Sequence, residues 1–193
     1  MRKEKNNNFY IILIKPQLEE NVGAVARAML NFEFQNLRIV KNKWKPNRKS
    51  LSMSAGADII IRNAQIYKSL EEATKDLHYL YATTNRKRSL NLKVVNLKKG
   101  INEIVQIKNK KIGIVFGPER SGINNDDISL CDKIINIPLN IKFNSLNLSQ
   151  SVLLIVYELF NNLKNRKDTK ISDQKALKSK LFNFFHILEN SLE

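Results

Sequence analysis

The sequence predicts an α/β fold, a parallel sheet with helices on both faces. Two observations carry the prediction. Short runs rich in β-branched and aromatic residues alternate along the chain with segments of helical periodicity. Polar and glycine-containing segments then follow the strand-like runs: Pro16 to Gly23, Thr83 to Arg88, Gly117 to Gly122, and Pro138 to Asn147. In open parallel sheets, ligands bind at such strand carboxyl ends.

Phe9 to Ile14 (FYIILI) is a short apolar run and reads as a buried strand. Asn21 to Asn31 reads as a helix. Val22, Val25, Ala26, Met29 and Leu30 recur at helical spacing, and Asn21 suits the N-cap. Leu37 to Val40 is a strand, Ser50 to Ser54 is helical, and Asp58 to Ile61 reads as a short strand. Tyr67 to Lys75 is helical, with acidic residues early and lysine late. His78 to Thr83 and Lys111 to Phe116 are strands. Asn125 to Leu130 is a short helix, Lys133 to Ile137 a strand, and Leu146 to Lys164 a long helix. Lys164 to Asp173 reads as a polar linker. Gln174 to Leu192 reads as an amphipathic helix with Leu177, Leu181, Phe184, Phe185 and Leu188 on one face. The expected organisation is one domain over residues 1–164, with linker and terminal helix over 165–193.

A chain of 193 residues suffices for one domain with a full core. Its 42% hydrophobic and 26% charged residues are ordinary for a globular protein. No apolar run reaches the roughly 18 to 20 residues of a membrane span. The longest candidate, Leu146 to Phe160, is broken by Asn147, Ser149, Gln150, Ser151 and Glu158. Met1 to Asn8 is charged and Asn-rich, unlike a secretory signal. Cys131 is the only cysteine, so a reducing cytoplasm is the expected location. With His78 and His186 the only histidines, no metal site is expected. The net charge of +15 and a pI near 9.9 favour a polyanionic partner. Richness in Lys, Asn and Ile together would also raise the charge without any nucleic-acid role. The basic clusters are more specific: Lys41 to Lys49, Arg86 to Arg88, Lys108 to Lys111, and Lys164 to Lys180 sit at loops or element edges.

Three segments stand out chemically. In Asn21-Val22-Gly23-Ala24-Val25-Ala26-Arg27, Gly23 admits close approach of another backbone or of a substrate. Arg27 is either a solvated surface arginine or a group near the ligand edge. In Phe116-Gly117-Pro118-Glu119-Arg120-Ser121-Gly122, two glycines and a proline demand a special backbone. Gly117 either leaves room for a flat ligand or serves an ordinary turn, and Glu119 and Arg120 either pair together or face a ligand. The segment lacks a P-loop's lysine, and no G-x-G-x-x-G follows any strand, which argues against usual phosphate-loop and dinucleotide sites. In Asn144-Ser145-Leu146-Asn147-Leu148-Ser149, Ser145 or Asn147 caps the long helix. A cap alone leaves the other small polar residues without a reason.

Together these segments resemble the three signature motifs of SPOUT-class RNA methyltransferases. N-x-G-x-x-x-R (Asn21, Gly23, Arg27), F-G-P-E-R-S-G (Phe116 to Gly122) and I-P-L-N-x-x-x-N-S-L-N-L-S (Ile137 to Ser149) occur in the family's order. The resemblance runs from about Phe9 to Phe160 and is strongest to the TrmJ-type branch, through ARAMLNF, NLRIV, AGA, LCD and a VYE after SLNLS. It implies a deep trefoil knot, which periodicity does not reveal. It implies S-adenosylmethionine as methyl donor, S-adenosylhomocysteine as product, and no metal. It implies 2′-O-methylation of tRNA at a pyrimidine, position 32 of the anticodon loop, by a homodimer whose site uses both subunits. Other branches act on other tRNA or rRNA nucleotides, and a non-catalytic RNA-binding protein of this fold is the reading from a different class. The resemblance places the donor against Thr83, Thr84 and Asn85, against Gly117, Glu119 and Gly122, and against Ile137, Asn144, Ser145 and Leu146. It assigns the reaction to Arg27, Asn21, Ser145 and Asn147. A guanidinium stays protonated, so Arg27 is expected to orient the hydroxyl or clamp a phosphate. The branch carries a longer C-terminal extension than residues 165–193 provide.

Overall fold

The computed structural model describes residues 8–85, 92–165 and 176–191. In chain order the elements are β1 (Phe9–Ile14), α1 (Glu19–Asn31), β2 (Asn36–Val40), α2 (Arg48–Ser54), α3 (Asp58–Arg62), β3 (Gln65–Tyr67), α4 (Leu70–Thr74), β4 (Tyr79–Thr83), β5 (Lys93–Asn96), α5 (Leu97–Gln106), β6 (Ile112–Phe116), α6 (Asn125–Ser129), β7 (Lys133–Asn136), α7 (Leu148–Lys164) and α8 (Lys178–Asn190). The strands form one sheet in the order β3-β2-β1-β6-β4-β7-β5. Every strand pairing within this sheet is parallel. Successive side chains of a strand point to opposite faces, so the sheet feeds two cores. Ile11 and Leu13 of β1 pack with Val25 and Met29 of α1 and with Val152 and Ile155 of α7. Ile12 and Ile14 pack on the other face with Leu70 of α4 and Ile128 of α6. Burial on both faces is why β1 is a continuous apolar run.

Several elements differ from expectation, each for a local reason. Asp58 to Ile61 is helix α3 and not a strand. Ile60 and Ile61 are buried while Ile59 is 55% exposed, the one-sided pattern of a helical turn. Tyr67 belongs to edge strand β3, and the helix begins later, where the Ser69 hydroxyl accepts from Glu72 N at 3.2 Å. Asn21 does not cap α1. Leu18 occupies that position, and Asn21 is buried inside the first turns. Lys93 to Gln106 holds β5 and α5, which the sequence reading passed over. Only Val95 of β5 is buried, and lysines interrupt the apolar residues Leu97, Ile101, Ile104 and Val105 of α5. In α8, Phe182 and Lys178 are buried, whereas Phe184, Phe185 and Leu188 are exposed. Most of the expected linker, from residue 166, and the cluster Arg86 to Arg88 lie outside the described residues. No described helix is long and apolar enough to cross a membrane.

One buried charge ties the second core to its rim. Arg38 of β2 is 3% exposed. Its guanidinium grips both carboxylate oxygens of Asp76 at 2.7 and 2.9 Å and donates to Ala73 O at 2.6 Å. It lies over the Tyr10 ring at 4.1 Å. Lys111 Nζ reaches the same carboxylate at 2.9 Å. Burial alone would raise the Asp76 pKa, but the Arg38 and Lys111 hydrogen bonds and charges outweigh it and hold it at about 2, below its ordinary 3.8. The folded-state value is depressed, so this group stabilises the fold above the unfolded value and loses that contribution as pH falls through the folded one. The stability gap between wild type and Asp76→Asn, from urea melts, is therefore expected to be flat from neutral pH to about 5 and to shrink between about 4 and 2. A gap independent of pH over that window would show that shape, and not charge, is what Asp76 contributes.

Candidate active site

Strand order creates the site. β4 lies between β6 and β7, with Thr83 in register beside Phe116 and Ile135. Three loops therefore leave the sheet side by side at its carboxyl edge. Between them opens a cavity of about 260 Å³. Thr83, Thr84 and Asn85 line it from the end of β4, Gly117, Glu119 and Gly122 from the end of β6, and Ile137, Asn144, Ser145 and Leu146 from the segment after β7. Every residue expected to contact a donor is thus in one cavity. Phe116, Pro118, Arg120, Leu148 and Ser151 line it as well. Leu148 and Ser151 were findable, since three residues apart on the first turn of a helix they share a face.

The glycines are explained by close approach of backbones. A Cβ on Gly117 would collide with the backbone of Gly122 and Ile123, so this residue lets the loop fold back on the strand end. Gly122 has a positive φ of 67° and donates to Pro118 O at 2.8 Å, closing the turn. A Cβ on Gly23 would collide with Ser50 O and Met53, so Gly23 lets α1 pack on α2 and does not face the cavity.

The three motif segments are joined by one hydrogen-bonded set. The Glu119 carboxylate accepts from Gln17 N at 2.9 Å, Leu18 N at 3.3 Å and Asn21 Nδ2 at 2.7 Å. It does not pair with Arg120, whose backbone N–H donates to Gln17 Oε1 at 3.2 Å. The carboxylate sits at the N-terminus of α1, where a negative charge is favoured and where no side chain of the cap residue serves. Burial would raise the Glu119 pKa; the Asn21 hydrogen bond and the backbone N–H groups of Gln17, Glu119 and Leu18 outweigh it and leave it below the ordinary carboxylate value. Asn147 Nδ2 donates to Asn21 Oδ1 at 3.0 Å. Asn147 Oδ1 meanwhile accepts from Ser149 N at 2.8 Å and caps α7. The side-chain amides of Asn21 and Asn147 are thus engaged in joining the segments, and neither lines the cavity.

The other two residues expected in the reaction are placed differently. Ser145 lines the cavity from an exposed position. Arg27 is exposed on the third turn of α1, eight residues from the helix start or about 12 Å along its axis. It does not line the cavity of its own chain.

Replacing Glu119 by glutamine keeps the size and puts an amide where three N–H donors converge. The expected cost is about 0.5–1.5 kcal/mol, the scale of one lost hydrogen bond, since glutamine keeps one acceptor oxygen and the exposed Gln17 and Leu18 donors can turn to water. Urea melts would read it, and hydrogen exchange at the Gln17 and Leu18 amides should accelerate. Unchanged melts with both amides still protected would mean that the carboxylate does not join these segments.

The chain is similar to known proteins along most of its length. The model of the SpoU rRNA Methylase family matches residues 8–157. TrmJ of Methanocaldococcus jannaschii, a tRNA (cytidine-2'-O-)-methyltransferase, is 36% identical over 171 residues, covering 87% of this chain and 74% of that protein. TrmJ of Salmonella typhimurium, a tRNA (cytidine/uridine-2'-O-)-methyltransferase, is 33% identical over 153 residues, covering 79% of this chain but only 63% of that protein's length. The crystal structure of TrmJ from Z. mobilis superposes with a TM-score of 0.84 at 36% identity, covering 95% of this chain and 79% of that one. A match that runs from the residue before β1 into α7, with all three motifs inside it, establishes that the chain belongs to the SpoU rRNA methylase family.

Proposed function

We propose that this chain transfers the methyl group of S-adenosylmethionine to a ribose 2′-hydroxyl of tRNA, at the pyrimidine of position 32 in the anticodon loop, releasing S-adenosylhomocysteine. The observation that carries the reading is the convergence of all the expected donor contacts on one cavity in a chain of this family. The cavity suits such a ligand. Ile137, Leu146 and Leu148 offer an apolar wall to a flat ring, and Thr83, Thr84, Asn85, Asn144 and Ser145 offer polar groups. The strand order, with β7 inserted between β4 and β5 and the chain then returning to pack α7 on α1, supports the knot that the resemblance implies.

The donor, when bound, supplies an electrophilic methyl, and the protein's part is to hold a hydroxyl in line with it. Ser145 contacts the ribose at the cavity. Asn21 and Asn147 act through position, keeping the loops at 117–122 and 144–147 in register with α1. Arg27 orients the 2′-hydroxyl or clamps its neighbouring phosphate through its planar fork, and the hydroxyl proton leaves to that phosphate or to water. Because Arg27 does not line the cavity of its own chain, it serves the cavity of a second copy. Leu153, Leu154 and Tyr157 of α7, 39%, 36% and 46% exposed, provide the apolar centre of that contact.

Unmodified bulk tRNA incubated with labelled donor should carry label at pyrimidine 32. Label only at the wobble nucleotide, or elsewhere, would overturn the assigned position. Donor binding by calorimetry without any transfer would instead leave an RNA-binding protein without catalysis. Arg27→Ala is expected to bind donor almost normally and to lose about two or more orders of magnitude in rate. Arg27→Lys should restore little, since lysine keeps the charge and loses the fork. In light scattering at micromolar concentration the chain should weigh about twice its 22.3 kDa; a strictly monomeric protein that is fully active would refute the shared site.

A further inference from the structure

A second cavity, of about 840 Å³, opens along α5 and shares no residue with the first. Tyr79 and Tyr81 of β4 line it together with Lys133 of β7 and Lys98, Lys99 and Asn102 of α5. Tyr81 is only 2% exposed, and its hydroxyl makes no hydrogen bond among the described residues. A buried hydroxyl left without a partner is costly, so such a group calls for an explanation. Burial, with the charges of Glu103 and Asp132, pushes its pKa far above the ordinary phenol value. It is therefore a donor at every physiological pH. Lys133 is satisfied, its Nζ lying 2.6 Å from Glu103. Lys98 and Lys99 are exposed, form no ion pair among the described residues, and stand in the first turn of α5, where no acidic residue offsets them. Two cations at the positive end of a helix work against its dipole unless an anion comes between.

We propose that this cavity binds a nucleotide unit, with the base toward Tyr81 and Asn102 and the phosphate at Lys98 and Lys99. The chemistry matches part by part. A buried neutral donor meets a base acceptor, the Asn102 amide offers a second polar contact to the base edge, and free ammonium groups meet the phosphate. Two sources share that chemistry, a free mononucleotide and one nucleotide of an RNA strand held away from the methylation cavity. The inference does not depend on the methyl-transfer reading, because binding alone tests it.

The full chain, labelled with ¹⁵N, would be titrated at low salt with AMP, with UMP and with a mixed-sequence hexaribonucleotide. The amides of Tyr81, Lys98, Lys99 and Asn102 are expected to shift. A response to the hexaribonucleotide alone assigns the site to an RNA strand, and a response to either mononucleotide assigns it to free nucleotides as well. Tyr81→Phe keeps the buried ring and should weaken binding about three- to tenfold, the loss of one neutral hydrogen bond. The pair Lys98→Ala and Lys99→Ala lies on the surface, should fold normally, and should flatten the salt dependence of binding. The proposal fails if no ligand moves these amides at about 10 mM, a concentration that would reveal even millimolar binding. It also fails if shifts appear only at 117–122 and 144–146, or if both variants bind as the wild type does.

Discussion

The site rests on one carboxylate. Glu119 accepts from two backbone N–H groups at the entry of α1 and from the Asn21 amide, and Asn21 in turn accepts from Asn147, 126 residues away in the chain. Without it the loop at 117–122 would keep the bond from Arg120 N–H to Gln17 at the entry of α1, and would lose its link through Asn21 to the start of α7. Each bond answers a need that would exist anyway. The entry of α1 lacks a capping side chain, and α7 needs one. The motif residues satisfy both helix ends and align the cavity walls by the same contacts. Asn21 and Asn147 thus join the segments that form the cavity without lining it.

The legible parts of the fold were those where burial and periodicity coincide. β1 is buried on both faces and has no charge within it, so its ends were readable to the residue. β5 and α5 were not, because an edge strand buries a single valine and the helix after it places two lysines and a glycine before its isoleucines. The three isoleucines in α3 resemble a strand in composition, and only their opposed exposures reveal a helical turn. The cavity walls were legible because the loops follow strands and glycine and proline mark them. The purpose of Gly23 and Gly117 was not, since close approach to α2 and to Ile123 is a fact of three dimensions.

Charge pairing shows a similar division. A chain of net charge +15 has few acidic residues to spare, and they are placed where one serves several partners. Asp76 holds Arg38 and Lys111. Asp132 accepts from Leu80 N at 2.8 Å and pairs with Lys178 Nζ at 3.0 Å. That second pair explains how α8 docks. Its buried contacts are Phe182 and the first residue, Lys178, whose Nζ also donates to Leu130 O at 3.1 Å, while Phe184, Phe185 and Leu188 of the expected apolar stripe are exposed. A buried lysine of this kind tolerates no loss of its partner, since an unpaired charge would remain inside. Beneath it the Cys131 thiol is pushed up by burial to about 12, so it is a small apolar core group and not a nucleophile.

The position of Arg27 bears on the proposed pairing of two copies. A residue in the signature of a catalytic motif would be expected at the cavity of its own chain. Arg27 stands exposed, about 12 Å along α1 and outside the cavity, on a helix that packs against α7 with its partly exposed apolar residues. Phe32, at the end of α1, meets Tyr157 edge-on at 5.6 Å, so the two helices share one continuous surface. Burying that surface against a second copy would remove Leu153, Leu154 and Tyr157 from water and carry Arg27 with it. If Arg27 serves the site of that copy as proposed, association and completion of the site are one event, because Leu153, Leu154, Tyr157 and Arg27 lie on two helices packed together.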